Sequence, residues 1–403
     1  MGLDEKTLAT IVRRGVAEII PQDEFVRELQ SGRKLRLKQG FDPTRPDLHL
    51  GHVVGLRKLR QLQALGHHVV VIVGDWTAQI GDPSGQSATR QMLSAEDVRA
   101  NAETYMRQFF KVVDRQLTQV VWQSEWFGKF SLTDVIRLTS RFTVAQILQR
   151  DDFAKRFKEN RPIAVTEMLY PLLQAYDSVM VEADVEFGGT DQRFNCLLGR
   201  ELQGMMGQRP QQVFMVPILP GTDGVQKMSK SLGNYIALEE PPEDMFGKVM
   251  SLPDSLLVTY FELLTDVPDD ELVRIKTDVE GQRVNPMSLK KRLGWEIVAQ
   301  FHSRDAADKA QAQFERVFQK REAPEDVPTY RLPAPSAEGQ LRLSRVLVDA
   351  GLAPSASEAR RLIAQGAVDI DGEKLSADGP AERLRPGAVI RVGKHKFVKV
   401  VGP

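Results

Sequence analysis

LRLKQGFDPTRPDLHLGHVVGLRKLRQLQAL, residues 35 to 65, decides the architecture. Its first seven residues form a β-rich run, a turn with two prolines follows, and apolar residues then recur at helical spacing through VVGLRKLRQLQAL. Similar β-rich runs return at HVVVIVGD (68–75), TQVVWQS (118–124), ADVEFGG (183–189) and QVFMVPIL (212–219), each separated from the next by helical stretches. Strands spaced by helices imply a parallel sheet with crossover connections, so residues 1 to 235 read as a doubly wound, Rossmann-like α/β domain. Ligands bind such sheets at the carboxyl ends of the strands, near the topological switch point. The dinucleotide fingerprint GxGxxG, the phosphate loop GxxxxGK[ST] and the hydrolase elbow GxSxG are all missing from the sequence. Dehydrogenase, P-loop NTPase and α/β-hydrolase readings lose their best support.

Residues 236 to 320 carry helix-like apolar spacing without a strong strand, as a helical domain would. In QKREAPEDVPTYRLPAPSAEGQ, residues 319 to 340, four prolines break any period, so a linker is expected over 321 to 340. The tail, 341 to 403, holds 11 Lys and Arg against 7 Asp and Glu, whereas the chain as a whole is balanced at 54 and 54. That imbalance makes the tail the expected nucleic-acid contact. A length of 403 residues allows two to four domains, and 42% hydrophobic with 27% charged residues is the composition of a globular protein. The single cysteine, Cys196, excludes an internal disulfide and a cysteine-based zinc site. No apolar run is long enough for a bilayer, and MGLDEKTLATIVRR lacks the apolar stretch of a secretory signal, so a cytoplasmic enzyme without membrane contact is expected.

Two motifs carry chemistry. In HLGH, His49 and His52 bracket Gly51 at the start of a helix, where free backbone N–H groups and a positive dipole end suit phosphate oxygens. In LPGTDGVQKMSKSLGN, residues 219 to 234, Lys227 and Lys230 make a cationic flap suited to a departing pyrophosphate. Alone, the first could be a turn with surface histidines and the second a solvated loop. As an ordered pair they resemble the signature of the class I aminoacyl-tRNA synthetases.

Along almost the whole chain the resemblance is to the bacterial tyrosyl-tRNA synthetases, carried by GFDPTRPDLHLGH (40–52), IGDPSGQSATR (80–90), YPLLQAYD (170–177), GGTDQ (188–192) and KMSKS (227–231). This resemblance implies that Tyr170, Gln174 and Asp177 grip the tyrosine ammonium and phenol, with Asp82 at the ammonium and Gln192 near the carboxyl. Offsets of four and three place the first three on one helical face. It further implies that Gly189 and Asp191 meet the adenylate ribose, that Asp42 and Gly51 lie at the adenylate site, and that Thr44 and His49 stabilise the pyrophosphate with His52 close by. Lys227, Lys230 and Ser231 match the flap, and Arg90 a loop arginine acting on pyrophosphate. ATP would be the second substrate, with Mg²⁺ as counter-ion, and no protein-held metal is implied.

Three departures point to a second bacterial branch. Many family members have a tyrosine contacting the substrate phenol where this chain has Lys38, and Gln39 and Gln86 replace a frequent cysteine and lysine. Lys38 is the candidate for the second phenol contact. The tail resembles a small ribosomal-protein-like RNA-binding module, which would place Arg345, Arg360, Arg361 and Lys394 against RNA phosphates. Family resemblance also implies an anticodon-binding role for the helical domain, and a homodimer with residues 125 to 165 near the interface and one tRNA(Tyr) crossing both subunits. Two other readings stay open: a tryptophanyl-tRNA synthetase, and a catalytically degenerate RNA-binding paralogue. The YxxxQxxD face and the RNA-binding tail speak against the first, and the presence of both phosphate motifs against the second.

Overall fold

The computed structural model describes residues 3–44, 47–83, 94–319, 328–333, 341–381, 384–393 and 396–402. Gln86, Arg90 and Lys394 lie outside the described residues, as does most of the proline-rich stretch; of its four prolines, Pro328 and Pro333 are described. The chain packs as two units, Met1–Ala307 and Asp308–Pro403.

In the first unit a six-stranded sheet is built from β1 (Glu18–Ile20), β2 (Arg36–Phe41), β3 (His68–Val73), β4 (Thr118–Trp122), β5 (Val185–Gly189) and β6 (Gln212–Val216). Valine and isoleucine fill β3, and every residue after His68 is buried, as a parallel strand covered on both faces requires. The order is β1-β6-β5-β2-β3-β4, with β1 antiparallel to β6 and the other pairs parallel. From β2 the chain moves through β3 to β4, then returns to lay β5 and β6 on the other side of β2. The direction of winding therefore reverses between β2 and β5, which is the switch point where a ligand crevice forms. All five strands expected from the sequence are present. β1 escapes the sequence pattern, because three residues, Glu-Ile-Ile, are too few to show a period.

Segments that follow the strands build the walls. The helices Val165–Met180 and Arg193–Met205 pack together around Leu172, Ala175, Val179, Leu198 and Leu202. Leu138, Phe142, Ile147 and Phe153 from an earlier segment join that core. The helices Pro242–Met250, Leu257–Leu264, Asp269–Glu280 and Pro286–Phe301 belong to the same unit. Arg57 and Arg60, on the Leu50–Gln63 helix, both reach Asp266, at 2.6 and 2.8 Å. Arg14 gives N–H groups to the carbonyls of Phe261, Glu262 and Thr265, at the end of the Leu257–Leu264 helix where backbone acceptors run out of helical partners.

The second unit contains β7 (Thr329–Arg331), the helices Leu343–Asp349 and Ala356–Ala364, and the strands β8 (Val368–Ile370), β9 (Glu373–Lys374), β10 (Val389–Val392) and β11 (Lys396–Val401). Their order is β7-β11-β10-β8-β9, with β7 and β11 parallel and the other pairs antiparallel. Val346, Leu347, Ala359, Ile363, Val368, Ile390 and Val400 form a separate core. A strand thus stands inside the proline-rich stretch expected to be a linker, since Thr329–Arg331 pairs with β11. Pro328 and Pro333 flank it, and an edge strand tolerates neighbours that cannot donate to a ladder.

Candidate active site

A cavity of about 360 Å³ opens at the carboxyl ends of β2, β5 and β6. Asp42, Thr44, His49, Gly51, His52, Asp82, Tyr170, Gln174, Asp177, Gly189, Asp191, Gln192 and Lys227 all line it. Residues as far apart in the chain as Asp42 and Lys227 are thus brought to one place by the switch point.

At one end the HLGH segment starts the Leu50–Gln63 helix. His49 is its N-cap, and its Nδ1 accepts from the Gly51 N–H at 3.2 Å, while His52 Nδ1 accepts from the His49 N–H at 3.2 Å. Both Nδ1 atoms being acceptors, the ring protons sit on Nε2, and each imidazole keeps one N–H to offer. Burial holds His49 well below the usual histidine range, with the charges of His52, Lys230 and Lys227 adding to it. Burial and the Lys230 charge bring His52 down to about 4. At neutral pH both are uncharged donors. A Cβ at Gly51 would come within 3.0 Å of the His49 ring, so glycine lets the histidine fold back on the helix end.

The KMSKS flap lies beside them. Lys227 Nζ bonds Asp191 Oδ2 at 2.7 Å, and Lys230 Nζ lies 5.8 Å from the centroid of the Tyr105 ring. Asn234 ties the flap to itself, accepting from the Ser229 N–H at 2.8 Å and donating to the Lys227 carbonyl at 3.1 Å. Past the flap, the chain pairs with the HLGH segment: Leu50 N–H donates to the Ile236 carbonyl at 3.0 Å and Leu238 N–H to the Leu48 carbonyl at 3.1 Å. Lys230 and Ser231 stand outside the cavity lining. Lys230 adjoins it through Tyr105, whereas Ser231 is exposed, with its hydroxyl 2.8 Å from that of Ser229.

At the other end, Tyr170, Gln174 and Asp177 share a face of the Val165–Met180 helix. Tyr170 donates to Asp42 Oδ2 at 2.7 Å, and Thr77 donates to Asp42 Oδ1 at 2.6 Å. Asp82 accepts from Gln192 Nε2 at 2.7 Å and pairs with Arg150 at 3.2 Å. Asp177 is buried, and accepts from Gln123 Nε2 at 2.7 Å and Trp126 Nε1 at 3.1 Å. Burial raises its carboxyl to about 7 against the lowering effects of Lys38, Gln123 and Trp126.

Lys38 does not supply a phenol contact. Its ammonium is committed to the Gln174 carbonyl at 2.9 Å, the Ser178 hydroxyl at 2.7 Å and Glu186 at 2.8 Å, which uses all three of its hydrogens. Sequence reasoning also missed Gln123, Trp126, Arg150, Asn195 and Tyr105. Gln123 and Trp126 follow directly on β4, and the rule that ligands meet the carboxyl ends of parallel strands could have found them. Arg150 and Asn195 had no such signal.

Among the described residues no group of three or more His, Cys, Asp or Glu could hold a metal ion. The end of the cavity formed by the HLGH segment and the flap is furnished with lysines and two neutral histidines, groups able to offer charge and N–H donors to an anion. In the second unit, the exposed guanidiniums of Arg345 and Arg361 pair with Asp349 and Glu358 on their own helices, and Arg360 reaches the Ala356 carbonyl.

Residues 30–319 match the family described as tRNA synthetases class I (W and Y), and residues 341–390 match the S4 domain. The chain belongs to this family of class I tRNA synthetases. Within it, the chain is 59% identical over 401 residues, the full length of both, to a protein of Dehalococcoides mccartyi strain CBDB1 named tyrosine–tRNA ligase. A protein of the same name from Moorella thermoacetica is 52% identical over 97% of this chain and 94% of its own. Among solved structures, tyrosyl-tRNA synthetase of Archaeoglobus fulgidus complexed with L-tyrosine shares the fold at a TM-score of 0.62 and 24% identity, over 76% of this chain and 99% of that one.

Proposed function

We infer that the chain is a tyrosine–tRNA ligase, which activates L-tyrosine with ATP and transfers the tyrosyl group to the 3′ end of tRNA(Tyr). Identity of 50 to 59% along nearly the whole chain to proteins bearing that name carries the reading, and favours it over the tryptophan alternative. In the first step a tyrosine carboxylate oxygen bonds the α-phosphorus, the bond from that phosphorus to the bridging oxygen breaks, and pyrophosphate leaves with the electron pair. No enzyme nucleophile is needed, so the protein orients the reactants and offsets the growing charge. Thr44, His49, His52, Lys227 and Lys230 serve the phosphates, with Arg90 from outside the described residues. Asp191 and Gly189 serve the ribose, Tyr170, Asp82, Gln174 and Gln192 the amino and carboxyl groups, and Asp177 the phenol. ATP would bring Mg²⁺ as its counter-ion, which would offset part of the phosphate charge beside Lys227 and Lys230.

Asp177, held between two N–H donors, has acceptor capacity left for a phenol O–H. Sites that hydrogen-bond a substrate hydroxyl reject the analogue lacking it, and tyrosine-specific synthetases are themselves the reference example. In ATP–pyrophosphate exchange, tyrosine is the expected substrate, and Asp177→Ala is expected to erase most of the preference for tyrosine over phenylalanine. Equal exchange of the wild-type chain with tryptophan would sink the assignment, and unchanged discrimination in the variant would sink the role of Asp177.

Leu132, Ile136, Val144 and Phe157 expose large apolar side chains within residues 125 to 165. This supports a homodimer formed through that segment. Sedimentation should give twice the chain mass, and Ile136→Asp with Phe157→Asp should give monomers; a wild-type monomer at micromolar concentration would rule the dimer out. The S4 unit, through Arg345, Arg360, Arg361 and Lys394, is the proposed RNA arm, the helices after residue 236 the anticodon contact. No described helix is long and apolar enough to cross a membrane, and a cytoplasmic place of work fits an enzyme that charges tRNA.

A further inference from the structure

Behind the phenol end of the cavity lies a buried ion pair that no step above uses. Lys38 on β2 and Glu186 on β5 are register partners across the switch point, their charged groups 2.8 Å apart and their side chains almost wholly buried. Glu186 accepts from Gln174 Nε2 at 3.1 Å, from Ser178 at 3.2 Å and from Gln211. Lys38 touches the Gln174 carbonyl and the Ser178 hydroxyl, residues that bracket Asp177 on the same helix. Desolvating two charges costs about as much as their attraction offsets, so a buried pair is poorly explained by stability alone.

We propose that Lys38 and Glu186 are positioning residues for tyrosine recognition: through Gln174 and Ser178 the pair fixes the helical turn that carries Asp177, and it places one positive and one negative charge behind the carboxyl group that receives the phenol hydrogen. The pair acts from behind the pocket, without touching the substrate. Burial is the largest influence on Asp177, Lys38 pulls its pKa down and Glu186 pushes it up. The hydrogen bonds from Gln123 and Trp126 also lower it, and they stay the same in every variant below. Gln123 and Trp126, beyond β4, are neutral donors; Cys196, on the Arg193–Met205 helix, faces Glu186, and burial keeps its thiol protonated. Asp42 and Asp82 line the same cavity further along and are common to every variant below.

The proposal rests on the tyrosine reading, and the test separates the two. kcat/KM for tyrosine in ATP–pyrophosphate exchange is followed from pH 5.5 to 8.5. The wild-type chain should lose efficiency below about pH 7, as Asp177 takes up a proton. Lys38→Met should move that midpoint up by about one pH unit, with activity recovering as the pH rises. Glu186→Gln, nearly isosteric, should move it down, and the double variant should return toward wild type. A purely structural role would move both midpoints in one direction or neither. Unmoved or parallel midpoints overturn the proposal, and if Lys38→Met does not fold, a midpoint that fails to fall in Glu186→Gln overturns it alone. Absence of tyrosine-dependent exchange by the wild-type chain would overturn the tyrosine reading itself.

Discussion

Replacing Lys230 by alanine is expected to slow tyrosyl-adenylate formation by about 10²- to 10³-fold, the usual cost of removing one preorganised group from a site of developing charge. The Lys230 ammonium lies against Tyr105 and close enough to both HLGH histidines to depress their pKa values. Burial is the larger cause for both histidines, so they stay neutral donors in the variant and the loss reports the missing charge itself. Because negative charge builds on the pyrophosphate only as the bond breaks, the proposed role predicts a loss in the transition state with tyrosine binding nearly unchanged. Stopped-flow measurement of adenylate formation and equilibrium dialysis of tyrosine separate the two quantities. A loss confined to tyrosine affinity would contradict the assignment.

The flap and the histidines are legible in the sequence because each is a short motif whose residues stand together in the chain, and His49, His52 and Lys227 reach the cavity from it. Five parallel strands are legible for a related reason: runs such as HVVVIV, buried on both faces, need no partner to be recognised. Legibility fails where a residue's meaning depends on a distant one. Lys38 stands out as a departure, but Glu186 sits inside ADVEFGG, where a glutamate in a strand signals nothing until the sheet order makes it a register partner. Gln123 and Trp126 reach the site only through Asp177, which stands on the fourth helix after them in the chain. β7 is hidden by prolines that an edge strand tolerates and a central strand would not.

A chain ending near Arg321 is expected to form tyrosyl-adenylate at close to the full rate yet to charge tRNA poorly. Every residue assigned to the first step precedes Leu232, and residues 1–307 pack as a unit with their own core, so that step keeps all of its groups. The second step is deprived of a module. Arg345 and Arg361 are exposed and paired with carboxylates on their own helices, pairs weak enough in water for RNA phosphates to replace them. Two modules on one chain bind more tightly than either alone by about 10²- to 10⁴-fold, so the truncated chain should need far more tRNA to reach the same rate. For every phosphate that the shortened chain no longer neutralises, the slope of log affinity against log salt should also flatten by about 0.7 to 0.9. Filter binding across a salt series, beside exchange and aminoacylation assays, measures all three. Normal charging by the truncated chain would show that the S4 unit is not the RNA arm, and loss of adenylate formation would show that the catalytic unit depends on it.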